Sequence, residues 1–213
     1  MSREHDVVKS SHRAYTKNSL IKDFKSMGIK KGMTIIVHSS LSSIGWVCGG
    51  PIAVIDALIE VIGEDGNIVM PSHSGDYSEP SYWCNPEVPK KWYEIIREEM
   101  PAFNPKTTPC RGMGIIAETF IKYEGVKRSH HPQVSFSAYG KDKNFITENH
   151  SLEYGLSENS PIARLYDLDA YVLLLGVPYD NNTSFHLSEY RSECREKFIS
   201  GAPIVAVSYT HLT

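Results

Sequence analysis

Cysteine is scarce and scattered: Cys48, Cys84, Cys110 and Cys194 stand far apart in 213 residues. Without a C-x-x-C pair, neither a zinc ribbon nor a thioredoxin-like redox motif is supported, and reduced thiols in a cytoplasmic protein are expected. No apolar run approaches the roughly 18 residues of a membrane span, and the charged N-terminus lacks a signal peptide's apolar core. No membrane partner or leader is therefore expected. Basic charge is also short, with 22 Lys and Arg against 25 Asp and Glu and a net charge of −3. No basic stripe forms, so nucleic acid is not an expected partner, while a cationic ligand is compatible. Repeats and low-complexity tracts are absent. So are G-x-G-x-x-G, a Walker lysine and a G-x-S-x-G elbow, which removes the sequence grounds for a dinucleotide fold, a P-loop and an α/β-hydrolase. His130 and His131 are adjacent and point in different directions, a poor metal pair. No metal is expected.

What is present is an ordinary globular composition, 41% hydrophobic and 22% charged. A chain of this length buries a core without disulfides or metals, and one domain is the simplest organisation. Residues 1–15 are polar and read as a frayed N-terminus. Asn18 or Ser19 caps a helix reaching Met27. A buried strand, 33–37, is followed by the hydroxyl-rich loop His38-Ser39-Ser40-Leu41-Ser42-Ser43. A helix begins at Pro51 with Ile52, Val54, Ile55, Leu58, Ile59 and Ile62 toward the core, and Asn67–Met70 is the next strand. This strand–loop–helix–strand unit predicts a parallel, right-handed crossover. Long proline-broken connections occupy 77–109. The glycine-bearing turn Arg111-Gly112-Met113-Gly114 leads into another helix. The fold class expected is α/β, a mostly parallel central sheet flanked by helices. Both loop-to-helix junctions read equally as polar surface or as cradles for a phosphate.

The chain is organised around Ala170–Arg195. Its opening apolar run, 170–177, fits a strand buried on both faces. A polar turn follows, and then a helix over 185–191. On that helix His186, Glu189 and Tyr190 share one face. A carboxylate beside an imidazole suits a general base, although such a pair is more often an ordinary surface contact.

Several motifs stand in one order: His38-Ser39-Ser40-Leu41, Met70-Pro71-Ser72-His73-Ser74-Gly75, Arg111-Gly112-Met113-Gly114, His131-Pro132, Ser160-Pro161, and Asn182-Thr183-Ser184 followed by His186 and Glu189. That set resembles the aminoglycoside 3-N-acetyltransferase family over residues 16–204. The resemblance implies an acetyl-CoA-dependent α/β enzyme that is not of the GNAT fold. It implies His186 as general base with Glu189 as partner. The acetyl-CoA would lie against His38, Ser39, Ser40, Leu41, Ser72, Arg111, Gly112 and Met113. A polycationic aminoglycoside or other small amine needs carboxylates, and Asp76, Glu79, Glu153 and Asp180 lie on loops at the right end of the sheet. The match fades after Ile204. Residues 16–206 then read as a C-terminally incomplete acetyltransferase domain and 207–213 as a foreign tail. An acetyltransferase for a different amine, a thioesterase, a CoA-binding protein with little activity, and a homo-oligomer stay open.

Overall fold

The computed structural model describes residues 3–192 and 200–205. Helix α1 (Arg3–Ser10) occupies the segment that reads as frayed from its polarity, and Tyr15 forms a parallel bridge with Val47. Helix α2 (Lys17–Ser26) begins earlier than expected. Thr16 caps it through a reciprocal capping box with Ser19, so the pair of hydroxyls sets the boundary. Strand β1 (Thr34–Ser39), the short helix α3 (Leu41–Ile44), helix α4 (Gly50–Ile62) and strand β2 (Asn67–Pro71) form the expected unit, and β1 and β2 pair in parallel. Ile52 departs from expectation and is half-exposed, while its neighbours Ala53 and Val54 take the core-facing positions of that turn. The long connection carries α5 (Tyr93–Glu99), and α6 (Gly114–Phe120) follows the glycine turn. Strands β3 (Lys127–Arg128) and β4 (Phe136–Gly140), helices α7 (Lys143–Thr147) and α8 (Pro161–Asp167), strand β5 (Tyr171–Leu175) and helix α9 (Phe185–Arg191) complete the order.

Among the described residues the sheet runs β3-β4-β2-β1-β5. The α/β class holds. Parallel pairing is confined to β2-β1-β5, while β4 runs antiparallel to both β2 and β3. Residues alternate across the sheet as a two-residue period requires. Ile35, Val37, Ile68 and Met70 pack under α2, α4 and α6, and Ile36, Val69, Phe136 and Ala138 pack under α7, α8 and α9. Strand β5 corrects the sequence reading: it is an edge strand, not a central one. Its Tyr171 is 61% exposed and only Leu175 is buried. An apolar run has the same composition in either position, so periodicity could not separate them.

Residues 204 and 205 form no strand, and Cys194, Ala206 and the 207–213 tail lie outside the described residues. No helix of the described residues is long and apolar enough to cross a membrane.

Candidate active site

Strands β1, β2 and β5 end together at one edge of the sheet, where open α/β sheets place their ligands. A cleft of about 760 Å³ opens there. Residues 37–43 form its floor, residues 112–115 and 117 one wall, and Gly176, Val177, Pro178, Asn181 and Thr183 another. The floor is fixed by the sheet: Ser40 N–H donates to Leu175 O at 3.0 Å, so the first turn after β1 is tied to the end of β5. Gly176 has φ +73°, and a Cβ there would lie 3.0 Å from the Ser43 Cβ and 3.1 Å from Ser40 O. Glycine is needed for both the left-handed backbone and the close approach. The loop after β1 and the turn after β5 are thereby held in close contact at the edge of the cleft.

Helix α9 leaves the same edge. The Asn182 side-chain oxygen accepts from Ser184 N–H at 3.0 Å and so closes the polar turn that leads into the helix. Leu187 is 4% exposed against Ile36, Val69 and Phe136. Burial of such a side chain is worth roughly 1.5–3 kcal/mol, which anchors the helix. One turn beyond Thr183, His186 Nδ1 lies 2.7 Å from Glu189 Oε2. With Nδ1–H donating to the carboxylate, the Nε2 lone pair points away from it, the tautomer a general base needs. Both side chains are partly exposed and reachable.

The structure sorts the residues singled out for the acetyl donor. His38, Ser39, Ser40, Leu41, Gly112 and Met113 line the cleft. Ser72 does not. Its hydroxyl is buried in the seam between β2 and β4 and bonded to Ser137 Oγ at 2.7 Å, because Ser72 N–H already pairs with Ser135 O. Arg111 also stands off the cleft. It faces a separate hollow of about 360 Å³ with Tyr82 and Trp83, and its Nη1 is 2.8 Å from Asp76 Oδ2. Asp76 therefore already has a cation partner. Glu153 and Asp180 are exposed and lie apart, Asp180 on a 3-10 turn beside the cleft residue Asn181. Glu79 is taken by Arg97, whose guanidinium bonds hold its carboxyl at about 2.

Sequence reading missed what surrounds His186. His73 and His150 pack against Phe136, His131 stacks on His150, and His38 lies near enough to His73 to act on its charge. His73 packs edge-on to Phe136 at 5.3 Å, and His131 lies 4.8 Å from His150. Burial pushes His38, His131 and His150 down to about 4, and His73 to about 3, where the charge of His186 adds to the effect of burial. The Nε2 atoms of His38 and His73 are shielded from solvent and have no hydrogen-bond partner among the described residues. Arg128 was missed as well. Buried, it donates to Thr108 O, Ser72 O, Ser74 Oγ and Ser135 Oγ, and so clamps the loop that carries His73 and Asp76. No cluster of the described residues has the makings of a metal site.

Residues 36–209 match the family described as Aminoglycoside 3-N-acetyltransferase. The SPbeta prophage-derived aminoglycoside N(3')-acetyltransferase-like protein YokD of Bacillus subtilis is 54% identical over 200 residues, covering 93% of this chain and 74% of YokD. The YokD crystal structure superposes with a TM-score of 0.92 over 95% of this chain and 75% of that one. Aminoglycoside N(3)-acetyltransferase VIII of Streptomyces fradiae is 34% identical, over 91% of this chain and 67% of its own length. The structure of AAC-IIIb as a binary complex with CoASH is 32% identical with a TM-score of 0.74, over 84% of this chain and 65% of that one. This chain thus spans about two thirds to three quarters of the length of these relatives. The match over residues 36–209 and relatives of 54% and 34% identity make the chain a member of the aminoglycoside 3-N-acetyltransferase family.

Proposed function

We propose that this protein transfers the acetyl group of acetyl-CoA to the 3-amino group of an aminoglycoside, with His186 as general base. The observation that carries the reading is the 2.7 Å His186–Glu189 bond, one turn from a residue lining a 760 Å³ cleft. An amine is mostly protonated at neutral pH and is then no nucleophile. The ammonium first gives one proton to solvent; as the lone pair of the resulting NH2 group forms the new bond to the acyl carbon, His186 Nε2 takes a second proton from that nitrogen. Glu189 stabilises the imidazolium that results, and the same proton is returned to the departing sulfur. The amide is the product, and neither an enzyme-bound acyl group nor a metal is part of this scheme. Such help is typically worth about 10²–10⁴-fold.

The residues present fit the acetyl donor. The Gly176 cradle and the backbone of residues 38–41 suit a slender arm, and serines 39, 40, 42 and 43 offer hydroxyls to its polar atoms. The acceptor would sit on the His186 side, near Asp180 and the Asp76–Arg111 pair. A cytoplasmic location follows from the need for acetyl-CoA.

The test is thiol release from acetyl-CoA against a panel of aminoglycosides and simple amines. Release that requires an aminoglycoside is expected. Release without any amine would identify a thioesterase. Turnover of simple amines alone would change the acceptor. CoA binding with no turnover on any amine would leave a binding protein.

A further inference from the structure

The cleft has a wall that no family motif contributes. Glu4 and Val7 of α1 line it, although the family match begins only at residue 36. They stand three residues apart on one face of the helix. An isolated helix of eight residues is marginal in water and needs an anchor. This one is held at its C-terminal end. Ser11 Oγ donates to Val7 O at 2.6 Å and accepts from Trp46 N–H at 2.7 Å. Tyr15 exchanges backbone bonds with Trp46 and Cys48, at 2.9 and 2.8 Å. Gly45 makes the close fit possible, since a Cβ there would lie 3.1 Å from both Ser11 Oγ and the Tyr15 ring. The rim of the cleft, residues 45–47, and the end of α1 are therefore one joined piece. Val7 is the sole described side chain of α1 that is not exposed, so the helix has no core stripe of its own and turns its single sheltered apolar group toward the cleft.

We propose that α1 is part of the acyl-donor site and recognises the nucleotide end of CoA. The proposal rests on the acetyl-CoA reading of the cleft. The thioester must lie near Thr183 and His186, whereas α1 joins the cleft through the Gly45–Val47 rim. Val7 offers an apolar surface to a ring. Glu4 repels phosphate but accepts from an N–H donor, which fits an adenine amine and not the pyrophosphate. The phosphates then fall to the serine loop and the α4 end of the cleft.

Val7→Asp, Glu4→Ala and Val8→Asp in the full chain test this by calorimetric titration with CoA and with S-acetyl-pantetheine, which lacks the nucleotide. Val8 is 51% exposed on the same helix and does not line the cleft, so Val8→Asp controls for helix stability. Val7→Asp is expected to weaken CoA at least about tenfold, because a carboxylate resists being covered. Glu4→Ala is expected to weaken it about threefold, the value of one modest hydrogen bond. S-acetyl-pantetheine should be unaffected by either, and Val8→Asp should bind CoA as the parent does. Hydrogen exchange of residues 4–10 should slow when CoA binds. Equal losses in the two aspartate variants, no loss in Val7→Asp, or matching losses for S-acetyl-pantetheine would overturn the assignment. Failure of the parent chain to bind CoA at all would instead overturn the reading of the cleft.

Discussion

Replacing His186 with alanine should lower turnover at least about 10²-fold and leave CoA affinity nearly unchanged. The two effects separate because the imidazole and the cleft are held by different parts of the chain. The cleft floor is tied to β5 through the Ser40–Leu175 bond, and Leu187, not His186, anchors α9. The imidazole is 45% exposed at its side chain, so its loss should barely change the melting temperature. Glu189→Gln keeps the shape and removes the charge that stabilises the imidazolium. It should fall between the parent and His186→Ala in kcat, with KM for acetyl-CoA unchanged. A folded His186→Ala protein that turns over at the parental rate would refute the assignment of the base.

A second large effect is expected in acid. His38, His131 and His150 are held at about 4 and His73 at about 3, all by burial. In the unfolded chain each imidazole titrates near about 6.5. Above that value both states are neutral and the full stability is present. Below it the unfolded chain binds protons that the folded chain refuses. Each histidine then costs up to about 1.4 kcal/mol per pH unit until its folded value is reached. Four together exhaust a typical margin of about 5–15 kcal/mol within about two units. Cooperative unfolding near about pH 5 is expected, with a flat melting temperature above pH 7. The carboxyls of Glu79 and Glu158, depressed by their arginines, act on the same side of neutrality but in a lower window, below the ordinary carboxylate range. Melting curves from pH 8 to pH 4 give the check: a melting temperature that stays level down to pH 4.5 would show that the cluster is hydrated or charged in the native state.

The parts legible in sequence are those written in local pattern. The run 33–37, the apolar spacing from Val54 to Ile62, and the His186–Glu189 interval each specify their element without reference to the rest of the chain. The serine loop after β1 was legible as a loop, and its place in the cleft follows from lying at a strand's carboxyl end. What could not be read is what distant segments make together. The histidine cluster joins β1, the turn after β2, residue 131 and residue 150, and no spacing announces it. Ser72 and Arg111 stand close to cleft residues in sequence, yet one turns into the β2–β4 seam and the other toward Asp76. Polarity alone made residues 1–15 look unstructured, because α1 is held by the chain around Trp46 and not by an apolar stripe of its own.

The register of the sheet has a consequence in time. Ile35 pairs with Tyr171 and Ser39 with Leu175, so the first strand waits for the fifth across most of the chain. Loop closure over such a span is slow compared with forming local helices. On the ribosome, β1, α4 and β2 emerge together, and the serine loop is made early without its Gly176 partner. The ligand cradle closes only when β5 docks. In refolding from denaturant, recovery of CoA binding should therefore lag the return of helical signal, and a mutation that slows docking of β5 should delay the site while leaving the early sheet intact. The cleft is in effect a clock for the docking of β5.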